Sequence, residues 1–479
     1  MADPWNVVIA AIAAAGAIVA AWAAARGRPL LSLGALALLA SLSRLTVETP
    51  VGTMRLEQPA IAAVAVVLVA GGRVVDLARL PRWAYAVAAL AGVFLVALAL
   101  SSALVAPDRQ ASLRIVAWWA ISMASAVVAY LLTTSVIRDS LVPFTFAAAA
   151  KGAAGIAVAV VFLVLGPTAD FGVQGADTVL PRVHGLTWEA NLYASYLAAS
   201  VPMALELARR RSRFAGLMLF LVVAGFPLAI TRGAYLGLAA GVLCYVVVWW
   251  ARTRTISGLV APAAVTAVAL AAGIAGAVVL LPNSADRRPS AGAPAPSGSA
   301  VGGSVSGSSG APAASSAPTS APPRPEPTLR PYPDTLAFRL DRIPVALRDI
   351  PRSPIIGLGA ESYGQRHVMA DGTPDHIAIL GVAVLYESGI VGAVALTAAF
   401  VMLIVRLWRT SADRSKAGPA AAYLATIVSL LVSYQATNAL HFAQNWLVIG
   451  AAVAVAVATT RDEAPADTPL RRAPPSATT

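Results

Sequence analysis

FAGLMLFLVVAGFPLAITRGAYLGLAAGVLCYVVVWW, residues 214–250, is one apolar run broken only by Thr231-Arg232-Gly233. As a single helix it would measure about 55 Å at 1.5 Å per residue, against about 30 Å of bilayer hydrocarbon. It would also carry Arg232 at its centre, at about 2.5–3.5 kcal/mol on insertion scales. Folding back at Arg232 removes both costs. The run therefore reads as two antiparallel membrane helices joined by a tight turn. Pro227 and Gly233 favour ending one helix and starting the next, and Thr231 is placed to cap the second. Arg232 then lies at the membrane surface beside a helix N-terminus, where free amides favour anions. The plainer alternative is a snorkelling arginine that anchors a hairpin.

The rest of the chain follows the same logic. Apolar residues make up 58% of the 479 residues and charged residues 12%, with a mean hydropathy of +0.74. These values exclude an ordinary soluble enzyme. The formal charge of +12 does not point to nucleic acid, because the arginines cluster in short loops between apolar runs. The single cysteine, Cys244, permits no internal disulfide and no cysteine metal cluster. The first apolar run has no basic residue before it and is followed at once by more spans, so it reads as a permanent helix.

Thirteen apolar stretches fit membrane spans, near 5–25, 29–46, 59–75, 83–105, 112–134, 142–165, 189–208, 214–231, 233–250, 257–281, 377–405, 419–440 and 443–460. The third is the shortest fit. The basic loops at 26–28, 73–82, 138, 209–213, 252–254 and 406–416 then alternate with less basic ones. Positive-inside bias places the N-terminus outside, the C-terminus inside and the long loop after Leu281 outside. The expected architecture is an all-α, polytopic transmembrane bundle. Its parts are N-terminal helices in 1–281, an extracytoplasmic loop in 282–376, C-terminal helices in 377–460 and a disordered cytoplasmic tail in 461–479. Within the loop, 283–334 is rich in Ala, Ser, Pro and Gly and is expected to be a disordered spacer.

The ordered part of that loop, 335–376, reads TLAFRLDRIPVALRDIPRSPIIGLGAESYGQRHVMADGTPDH. Leu336, Leu340, Ile343, Leu347 and Ile350 recur at helical spacing, with Asp341, Arg342, Arg348 and Asp349 on the other face. Arg339 sits at the edge of the apolar face. Pro344 predicts a kink or two short helices, and Gly357-Leu358-Gly359 a tight turn. The plain reading is an interfacial helix that caps the bundle.

All four histidines, His184, His367, His376 and His441, fall on the outer side in this topology. Arg182, Arg232 and Arg339 fall there too. Three guanidinium groups suit a diphosphate, because they bind phosphate oxygens in pairs, and a histidine nearby can accept the proton of an attacking hydroxyl. No paired-aspartate motif in an outer loop and no HExxH sequence points to a metal site. Lys151 and Glu387 lie inside spans, where charges are costly and usually paired or functional. A Lys151–Glu387 pair is one reading.

Four segments together carry a family pattern. They are Arg182-x-x-Gly185 followed by Asn191, Thr231-Arg232-Gly233-Ala234, Arg339 through Gly359 with Ala346-Leu347 and Pro354-x-x-Gly357-x-Gly359, and His376 through Gly392 with Glu387-x-Gly389-x-x-Gly392. In order and loop position they resemble the O-antigen ligase and O-antigen polymerase superfamily of bacterial membrane glycosyltransferases. The chain departs from the pattern at Ile343, Pro344 and Ile377, and His376 lies about two residues further from Glu387 than the pattern has it. His367 is the second choice for the family's histidine. The resemblance implies an inverting, metal-independent transfer on the outer face of the cell membrane, with no cofactor. The donor would be a glycan on undecaprenyl diphosphate. The acceptor would be a lipid A core, a growing glycan or a protein. Arg232 and Arg339 would hold the diphosphate and His376 would activate the acceptor hydroxyl. Arg182, His184, Asn191 and Arg342 would complete the binding set. The rival class is a transporter of an anionic solute, which should show charged groups at midplane sites and repeated halves.

Overall fold

A computed structural model describes residues 4–49, 52–165, 171–174, 181–187, 189–210, 213–255, 257–286, 339–369, 372–413 and 415–462. Helices α1 (Pro4–Ala25), α2 (Pro29–Ser41), α3 (Glu57–Ala70), α4 (Arg82–Leu104), α5 (Arg109–Thr133), α6 (Leu141–Leu165), α7 (Ala190–Arg209), α8 (Arg213–Gly225), α9 (Arg232–Thr253) and α10 (Val260–Asp286) precede the long loop. Two short helices, α11 (Arg342–Asp349) and α12 (Ser362–Arg366), lie within the loop. α13 (Leu380–Thr410), α14 (Ala417–Ser433) and α15 (Ala443–Asp462) follow it. Two small antiparallel hairpins complete the described elements: β1 (Thr46–Thr49) with β2 (Gly52–Arg55), and β3 (Val173–Gln174) with β4 (Arg182–Val183). Each of the thirteen apolar stretches contains one helix. Among the described residues, seven helices are long and apolar enough to cross a membrane, or eight if α3 and the bent turn Arg73–Arg79 form one span. α2, α14 and the apolar parts of α8 and α15 are shorter. The greater part of the expected spacer, 287–334, and the tail beyond Asp462 lie outside the described residues. The first residues of the spacer instead extend α10 to Asp286.

α7 is the centre of the bundle. It is buried continuously from Leu192 to Leu207 and packs on α6, α8, α9 and α14. Its polar residues are tolerated because they meet protein and not lipid. Glu206, 1% exposed, accepts from Arg209 at 2.8 Å, Arg210 at 3.1 Å and the Tyr245 hydroxyl at 2.7 Å. Glu206→Ala would leave two arginines and a buried hydroxyl without their acceptor. A loss of about 3–5 kcal/mol is expected, read as a lowered thermal midpoint of the purified protein.

The loops sort to two ends. At one end Arg44 N–H donates to Leu186 O, Arg366 donates to Val105 O, Thr437 donates to Glu189 and Leu380 N–H donates to Tyr434 O. At the other, Arg210 donates to Arg138 O, Arg252 to Trp408 O, Arg73 to Leu131 O and Lys416 to Ala458 O. The basic loops at 73–82, 138, 209–213, 252–254 and 406–416 all contribute to the second end. The site lies at the first end.

The fold-back at residues 226–232 is present, with one correction. Phe226–Ala229 form a 3-10 turn, and Ile230 takes a left-handed backbone, φ 48°, before α9 begins at Arg232. Thr231 occupies the N-cap position, but its hydroxyl donates back to Ala229 O at 3.0 Å and caps nothing. α9 seats directly on α14. A Cβ at Gly233, Gly237 or Gly241 would overlap Ala436, Ser433 or Ser429. This small-residue stripe recurs every four residues and lets the two backbones approach. Lys151 and Glu387 do not pair. Lys151 lies over the Tyr196 ring, 4.4 Å from its centroid, and reaches Gln444 Oε1 at 3.5 Å. Glu387 instead accepts the Glu361 backbone N–H.

Candidate functional site

Two glycine motifs from the sequence interlock. α13 breaks at Gly389, whose φ of 64° and ψ of −170° are not helical. The break frees backbone groups, and residues 353–361 thread into it. Leu358 N–H donates to Tyr386 O and Gly359 N–H to Glu387 O, while Ile390 and Val391 N–H donate to Pro354 O and Ile355 O. Gly357 and Gly359 hold φ of 86° and 102°. A Cβ at Gly357 would collide with Glu387 O, and one at Gly389 with Ile355 O. Ser101 Oγ also donates to Glu387 O, and Ser102 Oγ accepts from Ala360 N–H. The loop is thereby welded to α4 and α13.

This weld presents α11 and α12. Of the helical pattern predicted across residues 336–350, Leu336 lies outside the described residues; the described part is divided at Asp341, and Pro344 lies at the third position of α11, where a missing N–H costs little. The predicted apolar face is not the buried one. Leu340 and Leu347 are 47% and 52% exposed, whereas Ala346 and Asp349 are buried. α11 therefore turns Ala346 and Asp349 to the protein, with Val345 and the following Ile350 packed beside them, and leaves Leu347 and the preceding Leu340 outward, as a helix lying on a bilayer would.

Beside α11 lies a cleft of about 380 Å³ lined by Arg342, Tyr363, Arg366, His367, Asp375 and Asp341. His367 Nε2 is 2.7 Å from Asp349 Oδ2, which also accepts from the Tyr386 hydroxyl at 3.1 Å. Arg352 bonds the other oxygen at 3.1 Å. Burial raises the Asp349 carboxyl, but these donors outweigh it and hold the group below the usual carboxylate range. An ionised Asp349 keeps the proton of His367 on Nε2 and leaves Nδ1 to accept another. The imidazole packs on the Tyr363 ring, with centroids 4.5 Å apart. Arg342 is held by Asp375 at 3.0 Å, and Arg366 by Val105 O at 3.1 Å. The cleft thus joins an oriented base to two guanidinium groups.

The residues singled out from sequence fall around this end, but not in one place. Arg342 lines the cleft, and half-buried Arg339 precedes it in the same loop. His376 is exposed, and its backbone N–H donates to Asp375 Oδ1 at 2.8 Å. Arg232 is exposed at the start of α9, next to the Gly233–Ala436 contact. Arg182 is half-buried in β4, whose Val183 packs on Leu228 of the fold-back turn. His184 is buried. Its Nδ1 lies 2.6 Å from Thr187 O and its Nε2 3.3 Å from Arg44 Nη1. Burial lowers its affinity for a proton; the Thr187 carbonyl opposes this and the Arg44 charge adds to it. Both nitrogens are engaged, so His184 shapes its loop. Asn191 is half-buried in the first turn of α7. Asp349, Tyr363, Arg366 and Tyr386 were not singled out. The available signal was an acidic residue on the helix that also carries Arg342. No protein-family model matches the chain, and comparison with curated proteins finds no match.

Proposed function

We propose that the chain is a multi-pass bacterial membrane glycosyltransferase of thirteen spans, with its site on the extracytoplasmic face of the inner membrane. It would move a glycan from an undecaprenyl-diphosphate donor to an acceptor hydroxyl. The observation that carries the reading is the cleft in which His367, oriented by Asp349, stands beside Arg342 and Arg366. In this reaction the acceptor hydroxyl gives its proton to His367 Nδ1 and its oxygen attacks the anomeric carbon. The bond from that carbon to the phosphate oxygen breaks with inversion, and its electron pair stays on the diphosphate. Arg342 and Arg366 bind that leaving group, and Arg339 and Arg232, at the same end, add positive charge around it. Guanidinium groups suit this task because they meet phosphate oxygens with paired, charge-assisted hydrogen bonds. The outward leucines of α11 would rest in the bilayer beside the lipid carrier. We place the base at His367 and not at His376, because among the described residues the ring of His367, and not that of His376, meets an orienting carboxylate.

Arg342→Ala, Arg339→Ala and Arg232→Ala are each expected to lower turnover of a lipid-diphosphate donor by about 10²-fold, as removal of one stabilising donor does elsewhere. Normal turnover in all three, with normal folding, would refute the diphosphate role.

A further inference from the structure

The apolar surface along α4 and α13 is not smooth. The two helices pack along one another, and a groove of about 390 Å³ runs between them. Ala89, Gly92, Val96 and Leu100 of α4 line it, with Val391 of α13 and Ile356 of the weld. Small residues make the hollow: a Cβ on Gly92 would meet nothing within 4 Å. From Ala89 to Leu100 is about 16 Å of helix at 1.5 Å per residue, half of the about 30 Å of bilayer hydrocarbon. The groove therefore has the depth of one leaflet. Most of it lies in the half of α4 nearer the cleft, since the chain leaves α4 at Val105, whose carbonyl holds Arg366. A phospholipid acyl chain matches this depth, whereas a polyprenyl chain greatly exceeds it.

At its head the surface turns from apolar to basic. Ile355, next to Ile356, is exposed, and so are Leu347, Arg348 and Arg352. Ile356 follows Arg352 by four residues, at most about 14 Å of chain. Among the described residues Arg348 forms no ion pair with a carboxylate. Arg352 bonds Asp349 Oδ1 at 3.1 Å, yet its side chain is 62% exposed. Asp349 is also engaged by His367 and the Tyr386 hydroxyl. Two exposed guanidinium groups thus stand at the head of an apolar groove with one shared carboxylate between them. Guanidinium groups meet phosphate oxygens with paired hydrogen bonds. A zwitterionic headgroup would bring an ammonium group towards the same arginines; an anionic one brings none.

We infer that the groove, with Arg348 and Arg352 at its head, is a binding site for one anionic phospholipid, its acyl chain along α4 and its phosphate on the arginines. The site is separate from the cleft and does not depend on the transfer reaction. Arg352 links the two, because it also bonds the carboxylate that orients His367. The test places the purified full chain in nanodiscs of equal parts phosphatidylcholine and phosphatidylglycerol. Native mass spectrometry then counts the lipid that stays bound once the bulk lipid is stripped. Wild type should retain one phosphatidylglycerol with about tenfold preference over phosphatidylcholine, the scale of basic side chains acting on an anionic headgroup. Gly92→Leu should lose the retained lipid, because the leucine fills the groove. The open space at Gly92 lets the fold accept it, and an unchanged melting temperature checks this. Changing Arg348 and Arg352 together to alanine should abolish the preference, and changing both to lysine should keep it in part. Equal retention of the two lipids by wild type, or unaltered retention by a folded Gly92→Leu protein, would overturn the inference. So would displacement of phosphatidylglycerol by added undecaprenyl phosphate, which would give the groove to the carrier chain.

Discussion

His367→Ala is expected to lower the proposed glycan transfer by about 10²–10⁴-fold, the range for removal of a positioned general base, while the protein stays folded. The imidazole is half-buried at the edge of the cleft and packs on one ring, so its truncation costs little packing. Asp349→Asn is expected to act through the same group. Asparagine can still bond the imidazole, but by its carbonyl or its amide, so the tautomer is no longer imposed. Turnover should fall while the Michaelis constant for the donor changes little. His376→Ala provides the contrast. Its side chain is exposed, and turnover within about threefold of wild type is expected, well inside the margin of an unneeded base. The reverse ranking of the two histidine variants, measured on equal amounts of folded protein, would move the base to His376.

Gly389→Ala is expected to cost more stability than any other single change at this end. The residue holds φ 64° and ψ −170°, a region open almost only to glycine. A Cβ would also meet the backbone of Ile355 and Gly357. Neither obstacle can relax alone, because the same segment carries the hydrogen bonds from Leu358, Gly359, Ile390 and Val391. The expected loss is about 4 kcal/mol or more, seen as poor recovery of monodisperse protein and a large fall in melting temperature. Gly392→Ala lies on the regular part of α13, and its neighbour in the way is the Ser388 side chain. A side chain yields more readily than backbone, so the smaller effect is expected there. Equal melting temperatures for Gly389→Ala and wild type would show that the interlock does not exist.

Much of this was legible in the sequence. The length of the run at 214–250 required a fold-back, and the arginine loops sorted the helices to two ends. The glycines at 357 and 359 marked a place where the backbone leaves ordinary regions, whereas Gly389 stood out only as part of the family pattern. What could not be read was how those places meet. Periodicity showed that α11 is amphipathic, but an apolar face turned to protein and one turned to lipid have the same pattern. Leu340 and Leu347 do share an outward face, but the pattern could not show that Asp349 and Ile350 turn inward. The His367–Asp349 contact joins residues 18 apart across the Pro354–Gly359 weld, and no local spacing encodes it. A Lys151–Glu387 pair was one reading because both charges lie in spans. The carboxylate of Glu387 is instead taken by the Glu361 amide, made available by the loop that enters the α13 break. The Thr231 cap failed because the left-handed residue before it turns the hydroxyl towards Ala229.

The central claim is tested most directly by transfer with the purified wild-type chain in lipid, using undecaprenyl-diphosphate glycan with EDTA present. The account predicts release of undecaprenyl diphosphate together with a lengthened or newly attached glycan, and loss of both with His367→Ala. No turnover with lipid A core, glycan or protein acceptors, alongside anionic solute uptake that depends on Arg342 and Arg232, would contradict it and make the chain a transporter.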